Sequence, residues 1–304
     1  MLDITNAGIR KPASVPMQWA HRERPQDVVP THWKRLSEHR FLVEGNWPEE
    51  HPFFAPVGGY HDPLLLVESM RQSTILLGHA AYDVPLDTQY LMRSLDFTCR
   101  PQHLLVGYKP GVEIEVVFDE LTYRGRMLAG MRATVTVARD GREAGTGVSH
   151  INLISARAYR RVRGAVAQQP VPRQYAPDVP PQLVGRLRSE DVLLLPTGIW
   201  GHWILKIDTG HRTLYQGPKD HVPGMVLIEA ARQAAHATIG PSAFAPWTGD
   251  NTFHRYAEFS RPLLMEVTDV SLSGADWTMK VTGHQDGEAV FTSVFSAGQP
   301  RRLP

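Results

Sequence analysis

The sequence predicts an α+β protein built from one unit used twice, and three observations predict it. The motif Glu68-Ser69-Met70-Arg71-Gln72 lies in PLLLVESMRQSTILLGH and returns as Glu229-Ala230-Ala231-Arg232-Gln233 in PGMVLIEAARQAAH, 161 residues later. Each copy interrupts an apolar run with Glu, Arg and Gln at i, i+3 and i+4, so the three share one helical face. After each such helix the apolar period changes from about 3.6 to 2, the signature of strands with one buried face. A chain of 304 residues is long enough for two units that each bury a core.

Lys and Arg number 32 against 31 acidic residues, which leaves no global field to draw nucleic acid or a membrane surface. The start, MLDITNAGIRKPASVPMQW, lacks a signal-peptide h-region, and no run of about 18 apolar residues occurs, so a cytoplasmic location is expected. The single cysteine, Cys99, excludes an intrachain disulfide and a thiolate metal cluster, and its strand-like surroundings read as apolar packing.

Taken in order, residues 1–30 are rich in Pro and charge with no period and read as a loosely held N-terminal arm. The first unit, 31–155, opens with HRFLVEG (39–45) as a strand and a long Pro/Gly loop. Its helix, LLLVESMRQSTILLGHAAY, is announced by Asp62 as N-cap and Pro63 in the first turn. TQYLMRSLDFTCR, VEIEVVFDELTYRG, RMLAGMRATVTVARDG and EAGTGVSHINLI follow as an antiparallel meander, with Arg139-Asp140-Gly141-Arg142 as a tight hairpin. Residues 156–185 form a Pro/Arg-rich linker, expected to be stiff and extended. Its Arg157, Arg160, Arg161 and Arg163 read as a solvated charge run or as a docking patch for an acidic partner. The second unit, 186–298, repeats the order: EDVLLLP and WILKID as strands, DHVPGMVLIEAARQAAHATIG as helix, then RYAEFSRPLLMEVTDVSLSG, DWTMKVTGHQDG and AVFTSVFSAG as strands. LDFTCRP and AEFSRP read as equivalent tracts, and 299–304 are a tail.

The tract PGMVLIEAARQA resembles the start of the central helix in hot dog folds of the β-hydroxyacyl dehydratase type. HPFFAPVGGYHDPLLLVESMRQ together with DHVPGMVLIEAARQA resembles the AfsA family, the A-factor biosynthesis proteins of actinomycetes, over most of residues 31–298. The resemblance implies a tandem (double) hot dog, each half a long central helix wrapped by an antiparallel sheet. It further implies an acyltransferase that moves a β-ketoacyl group from an acyl carrier protein (ACP) or coenzyme A (CoA) thioester to the hydroxyl of dihydroxyacetone phosphate. The product leads to a γ-butyrolactone, butenolide or furan signalling molecule. The His that precedes the helix Glu in the dehydratases is replaced by Phe54 and Tyr215 here, which argues against simple dehydration.

Such an ester-forming reaction needs a base for the alcohol, a stabiliser for the oxyanion and a means of holding both reactants. Glu229, with Glu68 as its counterpart, is the candidate base, and Arg232 the candidate holder of phosphate or oxyanion. Tandem duplication often leaves one copy as scaffold, and the second motif is put first. Arg71, Gln72, Gln233, His51, His61 and His221 are candidate substrate-binding residues, and Met70, Ile75 and Met225 the expected wall of an acyl tunnel. The bland alternatives are explicit. Each Glu/Arg pair equally reads as an internal ion pair, each Gln as a backbone clamp, the loop histidines and His79 and His236 as packing residues, and the apolar positions as core. No His pair has i,i+4 spacing and no Gly-rich phosphate loop or Gly-x-Ser-x-Gly elbow occurs, so no metal or organic cofactor is expected. Two other functional classes fit the same residues: a hot dog thioesterase or dehydratase acting on acyl thioesters, and a non-catalytic acyl-ligand-binding protein.

Overall fold

The computed structural model describes residues 13–107, 109–217, 219–240 and 245–298. The chain runs through β1 (Ala13–Ser14), β2 (Pro30–Arg35), β3 (Arg40–Asn46), α1 (Pro63–Tyr82), β4 (Gln89–Cys99), β5 (Gly111–Arg124), β6 (Met127–Arg139) and β7 (Arg142–Ile154). It continues through α2 (Ala156–Arg163), β8 (Leu194–Pro196), β9 (His202–Leu205), α3 (Gly224–Ile239), β10 (Pro246–Phe253), β11 (Leu264–Ser273), β12 (Asp276–Gln285) and β13 (Glu288–Gly298). The strands make one antiparallel sheet in the order β1-β2-β3-β5-β6-β7-β4-β10-β13-β12-β11-β9-β8. Apart from β1 at one edge, the order reads the same outward from the β4–β10 seam in both directions, which is how a duplicated unit joins its two sheets. Thr98 faces Thr248 and Asp96 faces Asp250 across that seam.

Helix α1 starts where the Asp62 carboxylate accepts the Leu64 N–H at 2.9 Å, and Pro63 presets the first helical φ. It stops at Asp83, whose left-handed φ of 54° turns the chain away. Residues along both α1 and α3 are buried on nearly every side, so each helix is a core rod rather than an amphipathic lid. On β7, side chains at Gly145 and Gly147 would collide with Leu66 and Met70, and the missing Cβ atoms are what let α1 lie against the sheet. The β6–β7 hairpin turns at Asp140 and Gly141, both at positive φ, as the Asp-Gly pair predicts.

Four expectations are corrected. From residue 13 onward the chain is no loose arm: short 3-10 turns at Met17–Ala20 and Pro25–Asp27 seat the buried Arg22 and Asp27, and Arg22 pairs with Glu68 on α1. The linker is not extended throughout. Its residues 156–163 form α2, fixed by Tyr159 and the buried Arg163, which pair with Asp220 and with Asp220 and Glu258 respectively, while Arg157, Arg160 and Arg161 stay exposed. Strand β10 precedes the tract AEFSRP and had no counterpart in the reading. That tract is a loop before β11, with Glu258 bridging to His221, and so is not equivalent to the β4 segment LDFTC. Among the described residues, no helix is long and apolar enough to cross a membrane.

Candidate functional site

The repeated motif builds two clusters of the same design. In the first, buried Glu68 accepts from Arg71 through two hydrogen bonds of 2.9 Å, from Gln72 at 2.6 Å, and from Arg22. In the second, Glu229 accepts from Arg232 at 2.8 Å through two nitrogens, from Gln233 at 2.5 Å, and from Arg186 at 2.8 Å. Gln72 also ties down the preceding segment, accepting from Val29 N–H at 2.9 Å and donating to Asp27 C=O at 2.7 Å. Gln233 does the same for Leu193 and Asp191, each at 2.8 Å. Burial alone would raise either carboxyl, but the flanking guanidinium pairs win and hold both down at about 2. Ionised and engaged by guanidinium and amide donors, both carboxylates are weak acceptors for a substrate proton.

The first cluster meets a cavity that the second does not line. A space of about 300 Å³ lies between α1, β4, β7 and the loop that leads into α3. Its charged lining comprises Arg22, Arg71, Arg93, Lys219 and Arg255, together with His21 and His221, and contains no carboxylate; Met70, Ile75, Met225 and Leu227 supply an apolar portion. The second cluster is closed by residues the first lacks. Arg186 donates to Phe53 C=O at 2.6 Å and lies 3.4 Å from Asp62, while its guanidinium stacks 4.0 Å over the Phe53 ring. Two arginines there face two carboxylates. At the position 161 residues beyond Asp62 stands Pro223, so the first cluster lacks that second carboxylate: Arg22 and Arg71 pair with Glu68, Asp27 adds a favourable field at Arg22, and Lys219 adds a third cation. Burial, then Arg71 and Arg22, lower the Lys219 pKa, against the partial opposition of Glu23 and Asp220.

A profile of the A-factor biosynthesis hotdog domain matches residues 5–155 and again residues 167–297. The chain belongs to the A-factor biosynthesis hotdog family. A 2-oxo-3-(phosphooxy)propyl 3-oxoalkanoate synthase of Streptomyces griseus is 45% identical over 287 residues, covering 93% of this chain and 95% of the relative. A protein of the same name from Streptomyces coelicolor is 43% identical, covering 93% and 91%. Among solved structures, the 12:0-ACP thioesterase from Umbellularia californica superposes with a TM-score of 0.50 at 14% identity over 84% of this chain and 93% of that one, a likeness of fold.

In this member of the family, the residues put first by sequence are not the ones at the cavity. Glu229 and Arg232 are buried in the closed cluster and do not line it; Arg186 pairs with Glu229, and Asp62 in turn pairs with Arg186. Glu68 stands behind Arg71, which does line it. Gln72 and Gln233 are backbone clamps. His51 is buried against Asp27 at 3.0 Å and accepts from Phe53 and Phe54 N–H, and His61 packs edge-on to Trp47; neither reaches the cavity. Of the loop histidines His221 alone lines it, held at 2.7 Å by Asp220. Met70, Ile75 and Met225 line the wall as expected. His21, Arg22 and Lys219 were missed. For Arg22 a signal existed: Arg22-x-Arg24-x-x-Asp27-Val28 returns as Arg186-x-Arg188-x-x-Asp191-Val192, a second repeat whose first copy lies inside the supposed arm and whose second opens the second unit. Among the described residues no group of three His, Cys, Asp or Glu side chains is arranged to hold a metal ion.

Proposed function

We propose that this chain is an acyltransferase that joins a 3-oxoacyl group, carried as a thioester, to the primary hydroxyl of dihydroxyacetone phosphate. It would thereby make the 2-oxo-3-(phosphooxy)propyl 3-oxoalkanoate named for its relatives. The observation that carries this reading is the cavity wall: cations without a carboxylate beside an apolar portion, which suits a small phosphorylated acceptor and an acyl chain at once. Arg71 and Lys219 receive the phosphate, Arg71 through a planar fork that Glu68 holds in place with two hydrogen bonds. The acyl chain lies along Met70, Ile75 and Met225. The Glu229 cluster, neutral and closed, serves as the structural counterpart, so each chain has one active site.

The donor we favour is an acyl carrier protein. Exposed Arg157, Arg160 and Arg161 sit on α2, whose Arg163 clamps Asp220 beside Lys219, and so place positive charge close to the cavity for an acidic protein to meet. We place the reaction in the cytoplasm, where acyl thioesters and triose phosphates are available. The test is reconstitution with a 3-oxoacyl thioester and dihydroxyacetone phosphate, with the phosphorylated ester read by mass spectrometry. Arg71→Ala and Lys219→Met should each raise KM for the acceptor by about 10- to 100-fold, the loss of one charge-assisted contact. Wild-type KM in both variants would reject the site.

A further inference from the structure

We infer that His21 is the catalytic base of this reaction, its Nδ1 taking the proton of the acceptor hydroxyl. The inference rests on the proposed function and names a proton acceptor other than the buried glutamates, which are ionised, paired with arginines and absent from the cavity wall.

His21 lines the cavity and ends the 3-10 turn Met17–Ala20 in a left-handed conformation, φ 50° and ψ 48°. That region is uncommon for any residue with a side chain, and such residues cluster at functional sites. The repeat supplies a control. The equivalent C-cap in the second unit is Gly185, with φ 68°, where a Cβ would come within 2.8 Å of the His236 ring. An imidazole therefore occupies this backbone position only in the unit that has the open, cationic cavity.

Its tautomer is fixed by the neighbouring histidine. His79 Nδ1 lies 2.6 Å from the Val84 carbonyl, which only accepts, so that nitrogen carries the hydrogen and Nε2 is bare. His21 Nε2 lies 2.9 Å from His79 Nε2 and must donate to it. What remains is His21 Nδ1, a bare lone pair without a hydrogen-bond partner among the described residues. His79 is thus a positioning residue. It orients the base as the second partner does in any nucleophile–base–orienter chain.

The charges around His21 give the base a dependence on its substrate. Arg22 faces it from its own turn, Arg71 and His79 from α1, Lys219 from the loop before α3, and Tyr90 of β4 packs edge-on at 5.6 Å. Burial, then Arg71, His79, Lys219 and Arg22, hold this imidazole down at about 3. A phosphate bound to Arg71 and Lys219 offsets that positive field, so the imidazole gains basicity when the acceptor arrives. The step balances without any further reagent. The acceptor oxygen forms a bond to the thioester carbonyl carbon as its proton passes to Nδ1, the C–S bond breaks, and the same proton goes to the departing thiolate.

The experiment uses the full chain with a 3-oxoacyl thioester and dihydroxyacetone phosphate. His21→Gly copies the backbone of Gly185 and should fold. Its kcat should fall by about 100- to 10,000-fold, the usual contribution of a general base, with KM for the acceptor within about threefold of wild type and partial rescue by added imidazole. His79→Leu should lower kcat and displace the acid limb of the kcat–pH profile. Should His21→Gly not fold, His21→Asn, also tolerant of the left-handed region, carries the same expectation. Wild-type kcat in a folded variant, or inactivity that imidazole does not relieve, overturns the inference. If Arg71→Ala raises KM while His21→Gly keeps kcat, the cavity stands and only the base is wrong; wild-type behaviour in both removes the cavity as well.

Discussion

At the scale of residues, the decisive contrast lies between two glutamates with the same partners and different surroundings. Glu68 and Glu229 are both fully buried, and both are stabilised as anions by two arginines and a glutamine. Their pKa values, held at about 2 against an ordinary 4.5, make a statement about stability. A folded-state pKa below the unfolded one contributes stability that is fully present above about 4.5 and is lost as pH falls towards 2. The urea midpoint should therefore decline across that window; a flat midpoint would show that the clusters are not ionised as described. Removing one partner is also costly. Glu68→Gln leaves Arg22 and Arg71 facing each other without a counter-ion, a loss on the order of 3–5 kcal/mol for a broken buried pair. One position shifts the charge balance between the clusters: Asp62 adds a carboxylate to the second, and Pro223 stands at the matching place beside the first.

At the scale of elements, the β4–β10 seam carries a flaw that predicts a gain. Asp96 faces Asp250 directly across it; loss of water, then Asp250, raises the Asp96 pKa. A raised folded-state pKa means stability present in acid and lost as pH rises through it. Asp96→Asn should stabilise the fold near neutral pH by roughly 0.2–1 kcal/mol for a like-charge pair removed, read as a higher melting temperature, and the gain should shrink in acid. A less stable variant at neutral pH would contradict this. The same seam explains what sequence reading found and missed. Helix α1 was legible because its cap, proline and polar stripe are local, and the hairpin at Asp140 because its turn residues are. Strand β10, PWTGDNTF, was not: its buried face is Pro246, Gly249, Asn251 and Phe253, with Asn251 bonded to Leu95 C=O and Ser293, so it has little hydrophobic alternation. The segment around Arg22 was illegible for another reason. Its order depends on an ion pair with Glu68, 46 residues away, rather than on any period of its own.

At the scale of the whole molecule, duplication produced a frame with two seats, and divergence left one open. The stripe of Glu, Arg and Gln was readable from the sequence, yet which copy faces a cavity depends on loops that pack only in three dimensions: Phe53 and Asp62 close one side, Lys219 and His221 line the other. Helix α2 then straps the loop of the open side through Arg163, coupling the connector between units to the wall of the site. One cationic cavity per chain, centred on Arg71 and Lys219, is the proposed seat of the phosphorylated acceptor. Calorimetric titration of the purified chain with dihydroxyacetone phosphate tests it most directly. The account predicts one site per chain, lost in Arg71→Ala and retained in a folded Arg232→Ala; two sites per chain, or binding that survives Arg71→Ala and disappears with Arg232→Ala, would contradict it.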